Sequence, residues 1–385
     1  MSPVILMAAG RLSVVDKGRL QIPVLLLLCA VANAVAASKP QAGLRLERFQ
    51  ISSGVEMVAT SQPVSIADMV SGWDGKYYGG EMAFADAISY SQFSFSTPTL
   101  GRLAFRHQYR RYYYMAFSRD TADFYRAAET SGLIAEDKHL DLIVKHFEGP
   151  GIGLTYALPA FRLQEFDVSL AVTGEWYQPG HFQFGEVSGL AKAGATDQVA
   201  ANIDYRYDQD KILDSNSGLF AVDDVHKGSG YSFSFQAAFD WERIRFTTAS
   251  RDMINAFHWS NGAFTRGCVN VGGGVSGVCS SGQLQNGFYG NQSTSEQIHA
   301  THSLSLSEKE MGYQVAWLQH DRYQRYTLAK SFATKLGRFD VFLYHPLQLG
   351  LGWQYQAFKL RLASDTMDFN QARNLNFDFA LGWLW

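Results

Sequence analysis

Three arginines recur at every fourth position of one alternating segment. Arg102, Arg106 and Arg110 lie within 102–117, where apolar and polar residues take turns. Residues of one parity share a face of a β-strand, so the three guanidinium groups would form a column spaced roughly 13 Å apart. Such a column can attract and guide anionic solutes. The alternative is a polar interior in which ion pairs neutralise the arginines.

A second chemistry would be ester hydrolysis, which needs a serine nucleophile and a histidine base within hydrogen-bond reach. His302 is followed by Ser303, and Ser305 lies close by. Consecutive strand residues point to opposite faces, so His302 is not expected to pair with either serine. We expect no enzyme activity, and an outer-membrane acyl hydrolase is the least favoured alternative. The sequence contains no cofactor or metal motif, and we expect neither group.

Two cysteines lie in a glycine-rich stretch, 265–287. Cys268 and Cys279 are eleven residues apart, and the nearest histidine, His258, stands alone. A metal site would need more thiols or imidazoles close by. In an exported chain, an even pair of cysteines predicts a disulfide.

The C-terminal segment alternates strictly between large apolar residues and mostly small or polar ones. The apolar positions are Leu375, Phe377, Phe379, Leu381, Trp383 and Trp385. This pattern predicts a strand with one apolar face. A last strand that ends on an aromatic residue resembles the C-terminal strand of Gram-negative outer-membrane β-barrel proteins. The resemblance implies that Phe377, Phe379, Leu381, Trp383 and Trp385 form the insertion signal read by the barrel assembly machinery.

Similar alternation recurs along the chain in segments of about ten residues, as expected for tilted transmembrane strands. The sequence therefore predicts an all-β fold, a closed antiparallel transmembrane β-barrel of about 16 strands within a range of 14–18. Closure is required because lipid cannot satisfy the backbone groups of an open sheet edge. A soluble β-sandwich is the alternative, although it needs no terminal aromatic residue.

The predicted layout is a single barrel domain, 38–385, with a long extracellular loop at 251–297. If the C-terminus is periplasmic, the turns near Gly337 and Gln356 are periplasmic as well. The same strand count places 119–138 in the periplasm, where such a long connection is unusual.

The N-terminus has the features of a secretory signal. Arg11, Lys17 and Arg19 precede a short apolar stretch, 23–31, and small residues follow it. We predict a signal peptide over 1–37, cleaved at about 34–37, with export through the periplasm to the cell outer membrane. Its three basic residues and one acidic residue leave 30 basic and 35 acidic residues in the mature chain. This acidic excess argues against nucleic acid as a partner.

A charge that faces lipid at mid-depth costs about 2–4 kcal/mol, so basic residues of the strands are expected to face inward. The predicted pore-lining residues are Arg102, Arg106, Arg110, Arg206, Arg245, Lys359 and Arg361. The favoured function is a passive channel, or porin, for small hydrophilic solutes, including anions. The alternative is a non-conducting surface barrel whose external loops bind a partner or polysaccharide. Outer-membrane lipid and small solutes are the expected contacts, and a homotrimer is one assembly compatible with this architecture.

Overall fold

The computed structural model describes residues 48–97, 101–208, 228–272, 275, 279, 285–346 and 348–384. The predicted signal segment 1–37 and Trp385 lie outside the described residues. Within the described ranges, no helix has the length and apolar composition needed to cross a bilayer.

The described residues are mostly in β-strands that run between two ends of one wall. We call the end near Arg48 and Leu384 the lower end and the opposite one the upper end. The rising strands are β1 (Arg48–Ser61), β3 (Gly101–Phe117), β7 (Phe166–Tyr177), β8 (His181–Ala191), β12 (Ile244–Val271), β15 (Tyr313–His320), β17 (Gly337–His345) and β19 (Phe358–Ser364). The descending strands are β2 (Met82–Thr97), β5 (Lys138–Ala157), β10 (Val199–Tyr207), β11 (Ser229–Trp241), β13 (Gln285–Glu296), β14 (Thr301–Glu308), β16 (Tyr323–Thr334), β18 (Gln348–Tyr355) and β20 (Asn374–Leu384).

Three short strands and two helices lie in the connections. They are β4 (Leu133–Ile134), β6 (Phe161–Leu163), β9 (Gly194–Ala195), α1 (Ile66–Ser71) and α2 (Arg119–Thr130). Both helices begin at a serine N-cap: Ser65 Oγ accepts from the Asp68 N–H and Ser118 Oγ from the Thr121 N–H. These caps satisfy backbone donors that the first helical turn leaves unpaired.

The wall closes on itself because β1 pairs with strands on both sides. It is antiparallel to β2 along its whole length and to β20 from Gln50↔Leu384 to Thr60↔Asn374. All the other pairings are antiparallel as well. The predicted closed antiparallel β-barrel is therefore confirmed.

Fourteen strands form the wall, which is the lower limit of the predicted range of 14–18. Descending β5 pairs first with β8, over Lys138–Glu148, and then with β7, over Gly151–Ala157. Consequently β7 and β8 are collinear and form one wall strand. In the same way β10 with β11, and β13 with β14, each form one wall strand along β12.

This arrangement corrects two sequence predictions. Because β5 is one strand and not two, the connection at 119–138 lies at the upper end and contains α2. The predicted long loop 251–297 is mostly strand, since β12 continues to Val271 and β13 occupies Gln285–Glu296. The predicted disulfide between Cys268 and Cys279 is confirmed near the tip of this extension.

The barrel is much taller on one side than on the other. Strands β15 and β17–β19 have 7 to 9 residues, whereas β12 has 28, a length of about 90 Å at the usual rise. Residues around α1 and α2 pack on the outer face of the tall side, where the Trp73 ring lies 4.8 Å from Tyr125 and 6.1 Å from Phe117. The upper extension therefore has two layers.

The outer face of the short side is apolar and exposed. On β18, Leu349, Leu351 and Trp353 point outward, while Gln348, Gly350 and Gly352 point inward. This alternation follows the sequence prediction. Exposed outward residues of the neighbouring strands are Leu304, Leu306, Tyr313, Val315, Tyr326, Leu328, Phe339, Val341 and Leu343.

One glycine permits a close approach where the wall closes. A Cβ at Gly54 would lie 2.4 Å from the Phe379 carbonyl oxygen and 2.9 Å from the Tyr90 ring. We expect Gly54→Ala to lower the free energy of unfolding by about 1–3 kcal/mol, because a tightly packed position must absorb an extra methyl group. Urea titration of the folded barrel in lipid vesicles measures this loss.

Gly180→Ala is the matched control, since a Cβ there would meet nothing within 4 Å. Its unfolding midpoint should remain at the wild-type value within error. Equal midpoints for the two variants would contradict the tight contact at Gly54.

Candidate functional site in the barrel interior

The predicted arginine column lies on the inner face of β3, but its three members have different surroundings. At the lower end, Arg102 is exposed and donates from Nη2 to Ser94 Oγ at 3.0 Å. Arg106 pairs with Glu56 at 3.2 Å, and its guanidinium lies 3.9 Å from the Tyr90 ring centroid. Arg110, at the upper end of the column, is completely buried.

Arg110 is held by one carboxylate on the neighbouring strand β2 and by a second on β12. Its Nε and Nη2 donate to Asp86 at 3.0 and 2.9 Å, and its Nη1 and Nη2 donate to Asp252 at 2.8 and 2.7 Å. Arg251 also pairs with Asp86. We call Asp86, Arg110, Arg251 and Asp252 the ion cluster. Its two carboxylates and two guanidinium groups give a formal net charge of zero.

Further hydrogen bonds fix the groups around the ion cluster. Ser232 Oγ donates to Asp252 Oδ1 at 2.7 Å. Gln108 Nε2 donates to Glu175 and to the Tyr177 hydroxyl, and that hydroxyl donates to Glu175 at 2.9 Å. Buried charges need such partners, because an unpaired buried charge is very costly.

Asp252 reaches the interior through an irregularity of β12. Between Phe233 and Phe235 the register of β11 against β12 shifts, and Asp252 has a φ of 56°. A positive φ is uncommon for a residue other than glycine and usually marks a constrained local structure. The bulge therefore turns this carboxylate toward Arg110.

An aromatic layer lies next to the ion cluster and bridges opposite walls. The Tyr112 hydroxyl on β3 lies 2.8 Å from His320 Nε2 on β15, and Phe84 on β2 stacks on His320 at 4.2 Å. Tyr114 reaches Asp321 in the β15–β16 turn. Tyr323, at the start of β16, adds a ring from the short side, and the tall side contributes the remaining rings of the layer: Phe147, Tyr177, Phe182, Phe184, Phe257 and Trp259.

The aromatic layer and the ion cluster together close the lumen at one level. Strands β3 and β15 are not neighbours in the wall, so the contact between Tyr112 and His320 crosses the interior. Below this level, inward residues such as Arg102, Gln236 and Gln354 are exposed to solvent. The lower end of the interior is therefore polar and open to solvent, whereas contacts across the interior close it at the upper end of the short side.

The remaining predicted pore-lining residues also have inward parity, but they do not form one cationic strip. Arg245 lies 3.9 Å from Asp240, Lys359 pairs with Asp378, and the guanidinium of Arg361 lies 4.3 Å from the Phe342 ring.

Arg206 lies beside the aromatic layer, opposite Phe184 in register, where it pairs with Asp204 at 3.1 Å and Glu296 at 3.2 Å. Burial raises the pKa of Glu296 despite this neighbouring charge. Pairing neutralises most of these basic side chains, as the alternative interpretation of the arginine column expects.

Sequence reasoning missed the partners that complete the closure. Asp86, Asp252, Tyr112 and His320 belong to no motif that would distinguish them in the sequence. One signal is present: inner positions of β2 and β3 carry large aromatic residues, which a water-filled lumen does not require.

His302 lies on the outer face, and it does not pair with Ser303 or Ser305, as expected from the sequence. Its Nδ1 is 3.0 Å from Ser250 Oγ on β12, while Ser303 and Ser305 point inward. Among the described residues no carboxylate contacts His302, so this pair lacks the third group that orients a catalytic imidazole. We assign it no catalysis.

Comparisons with known proteins do not identify a family. No protein-family model and no curated protein matches this chain. One similar solved structure is described as the crystal structure of a Pseudomonas aeruginosa FadL homologue. It is 9% identical, the alignment covers 88% of this chain and 87% of that chain, and the TM-score is 0.30. The functional assignment therefore rests on the geometry of the interior.

Arg110→Met tests how strongly the ion cluster holds the closure. Removing one partner of a buried ion pair leaves an uncompensated charge, so we expect a loss of about 3–5 kcal/mol in the free energy of unfolding. Urea titration in lipid vesicles, followed by tryptophan fluorescence, measures it.

Arg338→Met provides the control, because the Arg338–Asp340 pair is half exposed and should contribute only about 0–1 kcal/mol. Adding Asp86→Asn and Asp252→Asn to Arg110→Met should restore some of the stability. An unchanged midpoint for Arg110→Met alone would mean that the ion cluster does not hold the walls together.

Proposed function

We propose that this protein is an outer-membrane β-barrel that conducts small hydrophilic solutes through a gated lumen. The observation that carries the proposal is a closed layer with a polar interior on either side of it. Below the layer, Arg102 and Gln236 face solvent; above it, Asp204 and Arg266 line a polar cavity. A barrel filled only for stability would have no need of such polar space at both ends.

The apolar outer face supports the membrane location. Leu349 and Leu351 are 62% and 68% exposed, which in water would leave a large apolar surface unpaired. In a bilayer the same surface is covered by lipid, and the closed sheet leaves no backbone edge unsatisfied. We place the lower end in the periplasm, with the chain exported after removal of 1–37. The outward residues of β20 would then be available to the barrel assembly machinery.

The distribution of charge suits a closure that opens. Asp86 and Arg110 lie on neighbouring strands of one wall, and Arg251 and Asp252 lie together on β12. Each side therefore carries one positive and one negative charge. Displacement of the β15–β16 hairpin, which carries none of these four groups, would let water hydrate both pairs without separating them. Buried ionic groups are well suited to switching, since they add little net stability.

The movable element would be the tip of the β15–β16 hairpin. His320 and Asp321 reach across the lumen from this tip, and Tyr323 follows directly. The opposite side is braced by the outer layer around α1 and α2. Displacement of the short hairpin would break the crossing contacts without unfolding the tall side.

A permanently open porin is less consistent with these contacts, because it needs a continuous path of water. A non-conducting surface barrel remains the alternative, and conductance separates it from a gated channel. A homotrimer is a further proposal, and chemical cross-linking of the membrane-embedded protein tests it.

Planar-bilayer recording of the refolded mature chain is the decisive test. We expect rare openings for the wild type and frequent stepwise openings for Phe84→Ala with Tyr323→Ala, which removes one ring from each wall. The matched control is Phe339→Ala with Tyr355→Ala, since both side chains face outward. Retention of the folded, heat-modifiable form is checked for each variant. We call the protein with Phe84→Ala and Tyr323→Ala the opened variant. The proposal would be overturned if the wild type conducted continuously, or if the opened variant folded but did not conduct.

Arg102→Gln tests the solute path at the lower end. Arg102 faces solvent there with only neutral hydrogen-bond partners, so its charge should act on passing ions. In the opened variant, we expect the reversal potential in asymmetric KCl to shift toward cation preference. Arg119→Gln, on α2 outside the lumen, should not change it. Equal reversal potentials in all three proteins would exclude Arg102 from the path.

A further inference from the structure

Two rows of mostly polar side chains cross the inner face of the upper extension, and the first row ends at Phe288, beside the cavity rather than in its lining. In register, one row joins Glu186, Asp204, Arg266 and Phe288, and the next joins Ser188, Asn202, Cys268 and Asn286. The rows run across β8, β10, β12 and β13. They border a cavity of about 440 Å³, a size typical of small-molecule sites.

This cavity opens on the same face as the aromatic layer. Phe182, Phe184 and Glu186 have the same parity on β8, so the cavity begins one pair of residues above the rings. A solute held there would lie on the inner face of the wall, next to the aromatic layer that closes the lumen. The cavity is therefore a chamber at the upper entrance.

Several polar side chains of the chamber are exposed and make no side-chain hydrogen bond to another described residue, so they can bind a ligand. Arg266 is paired with Asp204 at 3.0 Å. Glu186, Asn202 and Asn286 are exposed, and none of them makes a side-chain hydrogen bond to another residue in the described ranges. They offer one carboxylate and two carboxamides, which together accept and donate hydrogen bonds.

The charge and the exposed ring narrow the class of ligand. Asp204 pairs with both Arg206 and Arg266, and Lys145 lies close enough to Glu186 to interact with it, so the charges around the chamber nearly balance and favour a neutral ligand over an ion. Phe288 is 71% exposed beside Arg266 and offers an apolar face. Hydroxyl groups that both donate and accept, together with an apolar ring face, are the chemistry of a neutral sugar.

We infer that this chamber binds neutral oligosaccharides before they enter the lumen. Its role as an entrance rests on the proposed channel, whereas binding itself does not require conduction. The disulfide between Cys268 and Cys279 ties one row covalently to the segment that follows β12.

Isothermal titration of the mature chain in a zwitterionic detergent tests the inference. The probes are neutral oligosaccharides of two to six residues built from glucose, galactose, mannose or N-acetylglucosamine. We expect at least one to bind the wild type, with affinity at least tenfold weaker for Glu186→Ala and for Phe288→Ala. Glu165→Ala and Phe161→Ala, in the lower turn, are the matched controls and should bind as the wild type does.

No binding by any probe, unchanged affinity in both chamber variants, or preference for an acidic oligosaccharide would overturn the inference. Binding by a protein that never conducts would leave the chamber in place and refute the channel. Conduction without binding would refute the chamber alone.

Discussion

The interior of this barrel depends on one guanidinium group held between two carboxylates. Arg110 is completely buried and donates two hydrogen bonds to Asp86 and two to Asp252. In so enclosed a place, a lone cation would be prohibitively expensive, so the two acids and the strands that carry them must approach. That approach draws β12 toward β3 and brings the aromatic layer into contact above the cluster. The ion cluster thus determines the level at which the lumen closes.

Much of the fold could be predicted because closed sheets obey a simple rule of parity. The outward residues of β18 and β20 and the inward arginines of β3 all follow from period-two alternation. Parity cannot show whether two consecutive strands form a hairpin, and so two wall strands, or are collinear and form one. Gln178, Pro179 and Gly180 have the composition of a hairpin turn, yet β7 continues upward into β8. Each such case adds a strand to a count based on sequence alone, which is why that count exceeds the number of strands in the wall.

The closure itself could not be predicted for a different physical reason. Asp252 enters the interior at a register shift, where regular alternation fails. Its partner Arg110 is 142 residues away in the chain, and no local pattern relates the two. The sequence showed the arginine column, but it did not show which groups surround each arginine. Of the three arginines, Arg102 is exposed, Arg106 stacks on an aromatic ring, and Arg110 is fully buried.

The two sides of the barrel differ in height. This difference explains how a closed lumen can open without unfolding the wall. On the tall side, the outer layer around Trp73 braces the strands that carry Tyr112 and Phe147. On the short side, the contribution comes from a hairpin tip, with His320 and Asp321 at its end. A rigid wall meeting a short hairpin needs only a local movement to separate. Because the charges of the ion cluster all lie on β2, β3 and β12, the hairpin can move away and admit water without separating them.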